Sequence, residues 1–445
     1  MRTIVGNRKI ALLLTLALLM GCGMGTAHAA TYYVATNGSD SNSGTQGSPF
    51  LTIQKGIDTA NAGDTVEVAA GVYRQKLNIN SEDGGTPGAP VTIHGASGAI
   101  IDASNNTSLT WTLQSGFNGG LYTAPLGYNS NAVFVNDYAI QELFWGTAKD
   151  WGLFIEQPWY WQRLFTYGMK NISGKADYDL WGAIPEGWDG VRGMAMVNTD
   201  NNTLYLKCMP GGEGSTPLVI PNQTVKVSDY KSVGVNFNGA HDVILDGFQV
   251  KYAFYGIWVG GDSRGCEIKN CVIKPCFNGI RIEGDATSGP SGISVHNNEI
   301  SIDRMQDVST KNRADNIWHI NKSHLESTGT QDKFAILVKM SRGNHHIYDN
   351  WIHDFGVGIG CGVDLDPSLT QLYDANIEVN HNLLENTYQD AIGIGRNGTN
   401  HKLHHNVLKN VLQFGRLHDI HWGPSYIYNN IMISGPITHN GVVLY

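Results

Sequence analysis

Val379-Asn380-His381-Asn382-Leu383-Leu384 and its echo Leu403-His404-His405-Asn406-Val407-Leu408 decide the fold. Both read aliphatic, two polar residues, Asn, any residue, aliphatic. The phrase recurs as Val295-His296-Asn297-Asn298-Glu299-Ile300, as Ile347-Tyr348-Asp349-Asn350-Trp351-Ile352 and as Ile427-Tyr428-Asn429-Asn430-Ile431-Met432. Two weaker copies place Phe248 and Cys271 in the Asn position. The anchors 248, 271, 298, 350, 382, 406 and 430 are spaced by 23, 27, 52, 32, 24 and 24 residues. A period near 24 with insertions describes a solenoid whose turns stack on one another. The polar stretch from Ser301 to Gln331 fills the long step as an insertion, with or without an extra turn.

Short strand signals follow each anchor after about eight residues, as in Gly256-Ile257-Trp258-Val259, Gly279-Ile280-Arg281-Ile282, Gly358-Ile359-Gly360 and Ala391-Ile392-Gly393-Ile394. Two or three such strands per turn leave no room for a helix, and the L-x-x-L-x-L of a leucine-rich repeat is absent. Stacked Asn amides can hydrogen-bond to the turns above and below and so satisfy a buried bend. A second polar column, Asp354, Asn386, Asn410 and Ser434, runs four residues beyond the anchors. The fold class is all-β, a parallel β-helix.

The rest of the chain fits around this solenoid. Ile53, Ile57 and Ala60 share one face of a short amphipathic segment after Ser48-Pro49-Phe50, which predicts an N-terminal cap helix over the first turn. Residues 141–232 break the period and hold six Trp, namely Trp145, Trp151, Trp159, Trp161, Trp181 and Trp188. They read as an inserted β-rich module with a hairpin at Asp200–Thr203, the Trp either forming its core or offering platforms for sugar rings. The expected organisation is thus 1–29 signal peptide, 30–140 cap and first turns, 141–232 insertion and 233–445 main turns. No matching cap is visible at the other end, where the strand pattern runs on to Tyr445.

Composition sets the boundaries. The 445 residues carry 41% hydrophobic side chains and 11 Trp, which excludes a disordered chain. A formal net charge of −9 argues against nucleic acid, because phosphate binding needs a basic face. Beyond the N-terminus no apolar run is long enough to span a membrane. At the N-terminus Arg2, Arg8 and Lys9 precede an apolar run and then Ala27-His28-Ala29, the pattern of an export signal. Leu19-Met20-Gly21-Cys22 offers lipidation at Cys22 as the other route, and either one predicts a secreted, periplasmic or cell-surface protein. Cleavage after Ala29 takes the net charge to −12. The five remaining Cys form no disulfide framework and read as small buried hydrophobes.

Tyr32-Tyr33-Val34-Ala35-Thr36-Asn37-Gly38-Ser39-Asp40, Ala62-Gly63-Asp64-Thr65-Val66 and Ala70-Gly71-Val72-Tyr73 resemble the opening of secreted right-handed β-helix proteins. Together with the Asn ladder they resemble the pectate-lyase-like superfamily, over most of the chain outside the insertion. That resemblance implies a right-handed helix and a carbohydrate-active protein. The superfamily holds polysaccharide lyases, glycoside hydrolases, uronan epimerases and non-catalytic surface proteins. No individual family matches. The Asp-Asp and Gly-His-Gly of pectin hydrolases are absent, and Asp366-Pro367 is followed by Ser368-Leu369 where alginate epimerases continue with His-Asp.

Candidate chemistry concentrates late, since 13 of the 16 His fall between His296 and His439. Cleavage of a polysaccharide by hydrolysis needs two carboxyls about 5–9.5 Å apart, which one or two turns can supply. Elimination needs a base and a cation facing the uronate carboxylate. The expected catalytic set is Asp364, Asp366, Asp390, Arg396 and His421, with Asp354, His381, His405, Arg416 and Trp422 binding substrate. Asp364, Asp366, Asp374 and Asp390 are hard oxygen donors suited to calcium, and nothing in the sequence calls for an organic cofactor. His residues three apart, such as His401 and His404, should point to opposite faces of a strand, which weakens a zinc reading. The expected partner is a polysaccharide or oligosaccharide, and the other function class is a glycan-binding β-helix without catalysis.

Overall fold

The structure is a computed structural model that describes residues 29–105, 108–115, 120–144, 191–198, 200–210, 218–302, 334–362, 374–387, 390–395, 398–411, 414–415, 423–433, 437–439 and 442–444. Three long parallel sheets run along a β-helix, and a complete turn adds one strand to each sheet in the order first, second, third. One full turn is Val243–Asp246, Gln249–Lys251 and Ala253–Gly260. Among the described residues the first sheet has ten strands, the second nine and the third seven.

The alternation read from the sequence explains the packing. Leu245, Ile268, Val295, Ile347, Val379 and Leu403 line the inside of the first sheet, and Val250, Ile273, Ile300, Ile352, Leu384 and Leu408 line the second, all of them buried. The third sheet contributes Ile257, Ile280, Ile336, Ile359 and Ile392. Burial of each such side chain contributes about 1.5–3 kcal/mol, and the strictly repeated spacing forms one continuous core.

The corner between the first and second sheets is the same two residues in every late turn. Its first residue takes a left-handed conformation, as at Asn297, Asp349, His381, His405 and Asn429, with φ between 53° and 57°. Its second is the anchor Asn. Nδ2 of Asn298 donates to Oδ1 of Asn350 at 3.0 Å, Asn350 to Asn382 at 2.9 Å, Asn382 to Asn406 at 3.0 Å and Asn406 to Asn430 at 2.9 Å. Each of these amides also donates to a main-chain carbonyl of the preceding turn. The Asn ladder expected from the repeat is therefore present. Cys271 fits it too, since its Sγ faces the carbonyls of Leu245 and Lys269 while its N–H donates to Asn298 Oδ1 at 2.9 Å.

The long step between anchors 298 and 350 holds no extra turn. Val295 pairs directly with Ile347, and Ile280 with Ile336. The extra chain leaves after Ile302 and returns at Phe334, between the second and third sheets. The larger excursion uses the same corner. The chain leaves the solenoid after the strand Ala99–Asp102 and re-enters at Val233–Asn238. The structure thus starts the departure well before residue 141. Leu121–Pro125 and Ala132–Val135 pair inside side sheets and not within the first turns. These sheets enclose their own core of Tyr122, Val133, Val135, Ala195, Leu204 and Leu206, among others. The hairpin at Asp200–Thr203 is present, joining Val191–Asn198 to Thr203–Pro210.

Near the start, Ile53–Ile57 is a five-residue helix whose first turn is capped by the Thr52 hydroxyl. Its buried Ile53 and Ile57 join the solenoid core beside Val34 and Val66. No helix among the described residues is long and apolar enough to cross a membrane.

Candidate functional site

Two outward faces of the late turns carry the polar chemistry, one on each side of the Asn ladder. On the second sheet the positions one residue past the anchors are Glu299, Trp351, Leu383 and Val407, in register on consecutive strands. Two residues further lie Ser301, His353, Glu385 and Lys409. The period of two sends both rows outward. From the turn of Trp351 to that of Lys409 the result is an apolar stripe with a charged stripe beside it, running along the solenoid axis.

The stripes are cross-linked. Trp351 is 41% exposed, stacks on His353 with ring centroids 4.4 Å apart, and donates its Nε1–H to Glu385 at 2.8 Å. Lys409 donates to the other oxygen of Glu385 at 2.7 Å. The His353 ring lies between Asp354, at 2.7 Å from Nδ1, and Glu299, at 3.4 Å from Nε2, and Lys274 pairs with the same Glu299 oxygen. Burial opposes charge on the His353 ring, but its hydrogen bonds to both carboxylates outweigh it and push its pKa up to about 9. The His353 hydrogen bond, with help from Lys274, holds Glu299 down at about 2. Burial acts to raise Glu385, yet Lys409 and the Trp351 indole hold it below the usual glutamate range. Around neutral pH this face therefore presents an imidazolium beside the ionised Glu299.

On the first sheet the outward row is built from His296, Tyr348, Asn380, His404 and Tyr428. His296 stacks on Tyr348 at 4.5 Å and His404 on Tyr428 at 4.8 Å. His404 Nε2 bonds Glu378 at 2.9 Å, and its Nδ1 lies 2.8 Å from Nδ1 of His405. The His404 hydrogen bond holds Glu378 below the usual range.

The candidate residues from the sequence distribute as follows. His381 and His405 occupy the left-handed corner position on neighbouring turns and stack at 5.1 Å, with planes 10° apart. Asp354 sits at the far end of the second sheet and accepts from Asn386 Nδ2 at 3.1 Å, so the second polar column is a ladder of side chains as well. These three border the faces just described. Asp390 is buried, and its carbonyl accepts from Gly358 at the edge of the third sheet. Asp364, Asp366, Arg396, Arg416, His421 and Trp422 lie outside the described residues, as do the six Trp of the insertion.

Asp374 does not fit a calcium ligand. One oxygen accepts from the N–H and hydroxyl of Ser341 and the other from the N–H of Met340, and the residue is fully buried. Burial raises it to about 6. Among the described residues no three His, Cys, Asp or Glu converge on one point. His401 faces the interior and His404 the exterior, as a strand requires of residues three apart.

Trp351, His353, Glu299, Glu385, Lys274 and Lys409 were not singled out from the sequence. The signal was available: aligning the repeat on its anchors and reading positions +1 and +3 down the turns puts these residues into two columns.

Residues 233–410 match the family model described as "Right handed beta helix region". The solenoid is a right-handed β-helix. Its fold is that of the pectate-lyase-like superfamily, as the sequence resemblance implied. Ahead of this right-handed β-helix region, residues 36–80 match a model described as "Protein of unknown function (DUF1565)". Among curated proteins, pectate lyase PEL9 of Emericella nidulans is 38% identical over 76 residues, which is 17% of this chain and 18% of that protein. The uncharacterized protein YwoF of Bacillus subtilis is 42% identical over 60 residues, or 14% of this chain and 12% of that one. The matches thus span less than a fifth of either relative's length. Among solved structures, the complex of XylC with xylose aligns over 86% of this β-helix chain and 67% of that chain, at 15% identity and a TM-score of 0.49.

Proposed function

We propose that this is an exported, carbohydrate-active β-helix protein that holds a polysaccharide along its outer flank and cleaves it by hydrolysis or β-elimination. The observation that carries the reading is the exposed Trp351 in a stripe with Leu383 and Val407, bordered by His353, Glu385 and Lys409. Apolar faces of sugar rings pack on such a stripe, and the adjoining charged groups accept and donate hydrogen bonds to hydroxyls. The name of the Emericella nidulans relative supports a polysaccharide as the substrate.

The chemistry divides between two places. Glu299 and Glu385 are held ionised, so neither can serve as the protonated acid that glycoside hydrolysis requires. At about 2, Glu299 is also a weak base. The described flank is therefore built for binding. In this proposal catalysis falls to Asp364, Asp366, Asp390, Arg396 and His421, with Arg416 and Trp422 as further substrate contacts and calcium held by Asp364, Asp366 and Asp390. The same ion pairing favours one second reading, a glycan-binding β-helix without catalysis.

The test is a panel of uronic-acid and neutral polysaccharides, each with calcium or with EDTA. Ultraviolet absorbance of an unsaturated product reports elimination, and new reducing ends without it report hydrolysis. Asp390→Asn and Arg396→Gln should abolish product while leaving polymer binding intact. Polymer binding without product from any substrate would replace the enzyme by the binder, and absence of both would end the carbohydrate reading.

A further inference from the structure

The second-sheet flank has a feature that selects among polysaccharides. From Lys251 to Lys409 its described cations are Lys251, Lys274, His353 and Lys409, and each already faces a carboxylate. Lys251 pairs with Asp137 at 3.2 Å, Lys274 with Glu299, His353 with Asp354 at 2.7 Å and Lys409 with Glu385 at 2.7 Å. Four positive groups thus meet four negative ones along a face that also presents the apolar Trp351, Leu383 and Val407.

A uronic-acid polymer carries a carboxylate on every sugar. To leave water, each carboxylate needs a cation or a set of N–H donors that is not already neutralised, most effectively an Arg or Lys clamp. Here a uronate would compete with Glu299 or Glu385 for a partner it already holds, and would do so beside that carboxylate. Like charges in such proximity cost free energy at both groups. The long-range field acts in the same direction, since a chain of net charge −9 repels a polyanion. An uncharged sugar chain meets no such penalty. Its ring faces take the Trp351–Leu383–Val407 stripe, and its hydroxyls share the carboxylate and ammonium groups, which keep their own partners.

We infer that the flank formed by Trp351, Leu383, Val407, His353, Glu385 and Lys409 binds an uncharged polysaccharide in preference to a uronic-acid polymer. This rests on the proposed carbohydrate function and narrows it. β-Elimination abstracts the proton α to a uronate carboxylate, so an uncharged polymer leaves hydrolysis, or binding alone, as what this flank serves.

Affinity electrophoresis of the full chain tests the inference, with uncharged arabinan, galactan and β-glucan in parallel with polygalacturonate and alginate, with and without calcium. At least one uncharged polymer should retard the protein about tenfold more strongly than either uronate, with little response to salt, because no net charge is neutralised. Trp351→Ala should weaken that retardation about tenfold, the scale of one aromatic contact, and Leu383→Ser should weaken it as well. Circular dichroism confirms that each variant is folded. Equal or stronger retardation by a uronate that depends on Trp351 would overturn the preference and leave the carbohydrate reading standing. Retardation that ignores both substitutions would overturn this flank as the site. If no polymer retards the chain, the carbohydrate reading fails together with the inference.

Discussion

Replacing Asn382 by Ala tests the ladder at its centre. Asn382 is fully buried. Its Oδ1 accepts from the N–H of Asn350 at 3.1 Å and from Nδ2 of Asn350 at 2.9 Å. Its Nδ2 donates to the carbonyls of Ile347 and Asn380 and to Oδ1 of Asn406, each at 3.0 Å. In the alanine variant Nδ2 of Asn350 keeps the Val295 and Tyr348 carbonyls, and Oδ1 of Asn406 keeps the Asn382 N–H. The Asn350 N–H loses the acceptor it has in the native ladder, far from solvent. One buried orphan donor costs about 1–3 kcal/mol, and the lost amide bonds and the small void raise the total to about 3–5 kcal/mol. Asn430→Ala at the last described rung removes the same bonds where the chain is partly open to water, so it should cost about 1 kcal/mol. Urea unfolding followed by circular dichroism measures both. Because long repeat arrays need not unfold in one step, hydrogen exchange at the Asn350 amide supplies the local value. A loss below about 1 kcal/mol in Asn382→Ala, or equal losses at the two positions, would refute the claim that the ladder satisfies the corner.

Further outcomes follow from the same geometry. Cys271→Asn should be neutral or stabilising within about 1 kcal/mol, because the thiol already points at the two carbonyls that an amide at this rung would use; thermal melting checks it. Gly343→Ala should destabilise by about 3 kcal/mol or more, since a Cβ there would lie 2.0 Å from the Ala375 carbonyl oxygen at φ +75°; urea midpoints report it. Burial lowers His345 to about 3 and His401 to about 4, so both stay neutral in the folded core while the unfolded chain protonates them below about 6.5. Stability should accordingly fall as pH drops from about 6.5 to 4, by up to roughly 6 kcal/mol for the two together, and His401→Leu should flatten that limb of a pH-dependent urea series. His353 shows the opposite sign: its raised pKa gives a contribution that is complete below about 6.5 and lost as pH rises through about 9, and His353→Gln should remove this alkaline limb.

The solenoid was legible because its cause is periodic. The anchors and the alternating aliphatics are read one turn at a time, and Leu245, Ile268 and Val295 fall into line with no knowledge of the other sheets. The step of 52 residues could be reduced to one turn only by register, which pairs Val295 with Ile347. The start of the excursion was hidden for a related reason: Leu121–Pro125 and Ala132–Val135 are ordinary strand sequences, and what distinguishes them is their partners. The candidate site was less legible. Residue type alone favours Asp374 as a cation ligand, whereas the structure uses both its oxygens to hold the turn at Met340 and Ser341. Glu299 and His353 are 54 residues apart in sequence and meet only because their strands are neighbours.

The fixed two-residue corner has a consequence for how such a molecule can change. Every described departure from regular length, after Asp102, after Ile302, between Glu283 and Ser294 and between Gly362 and Asp374, opens at a corner other than the one that holds the Asn amides. The amide column works as a hinge pin: it sets how many leaves are bound and in what order, and it is indifferent to the width of each leaf. Segments on the free margin can lengthen, shrink or be exchanged while each remaining strand keeps its neighbours. New specificity can therefore be acquired without refolding, and a foreign peptide spliced between Thr387 and Asp390 should leave the pairing of Leu384 with Leu408 as it is.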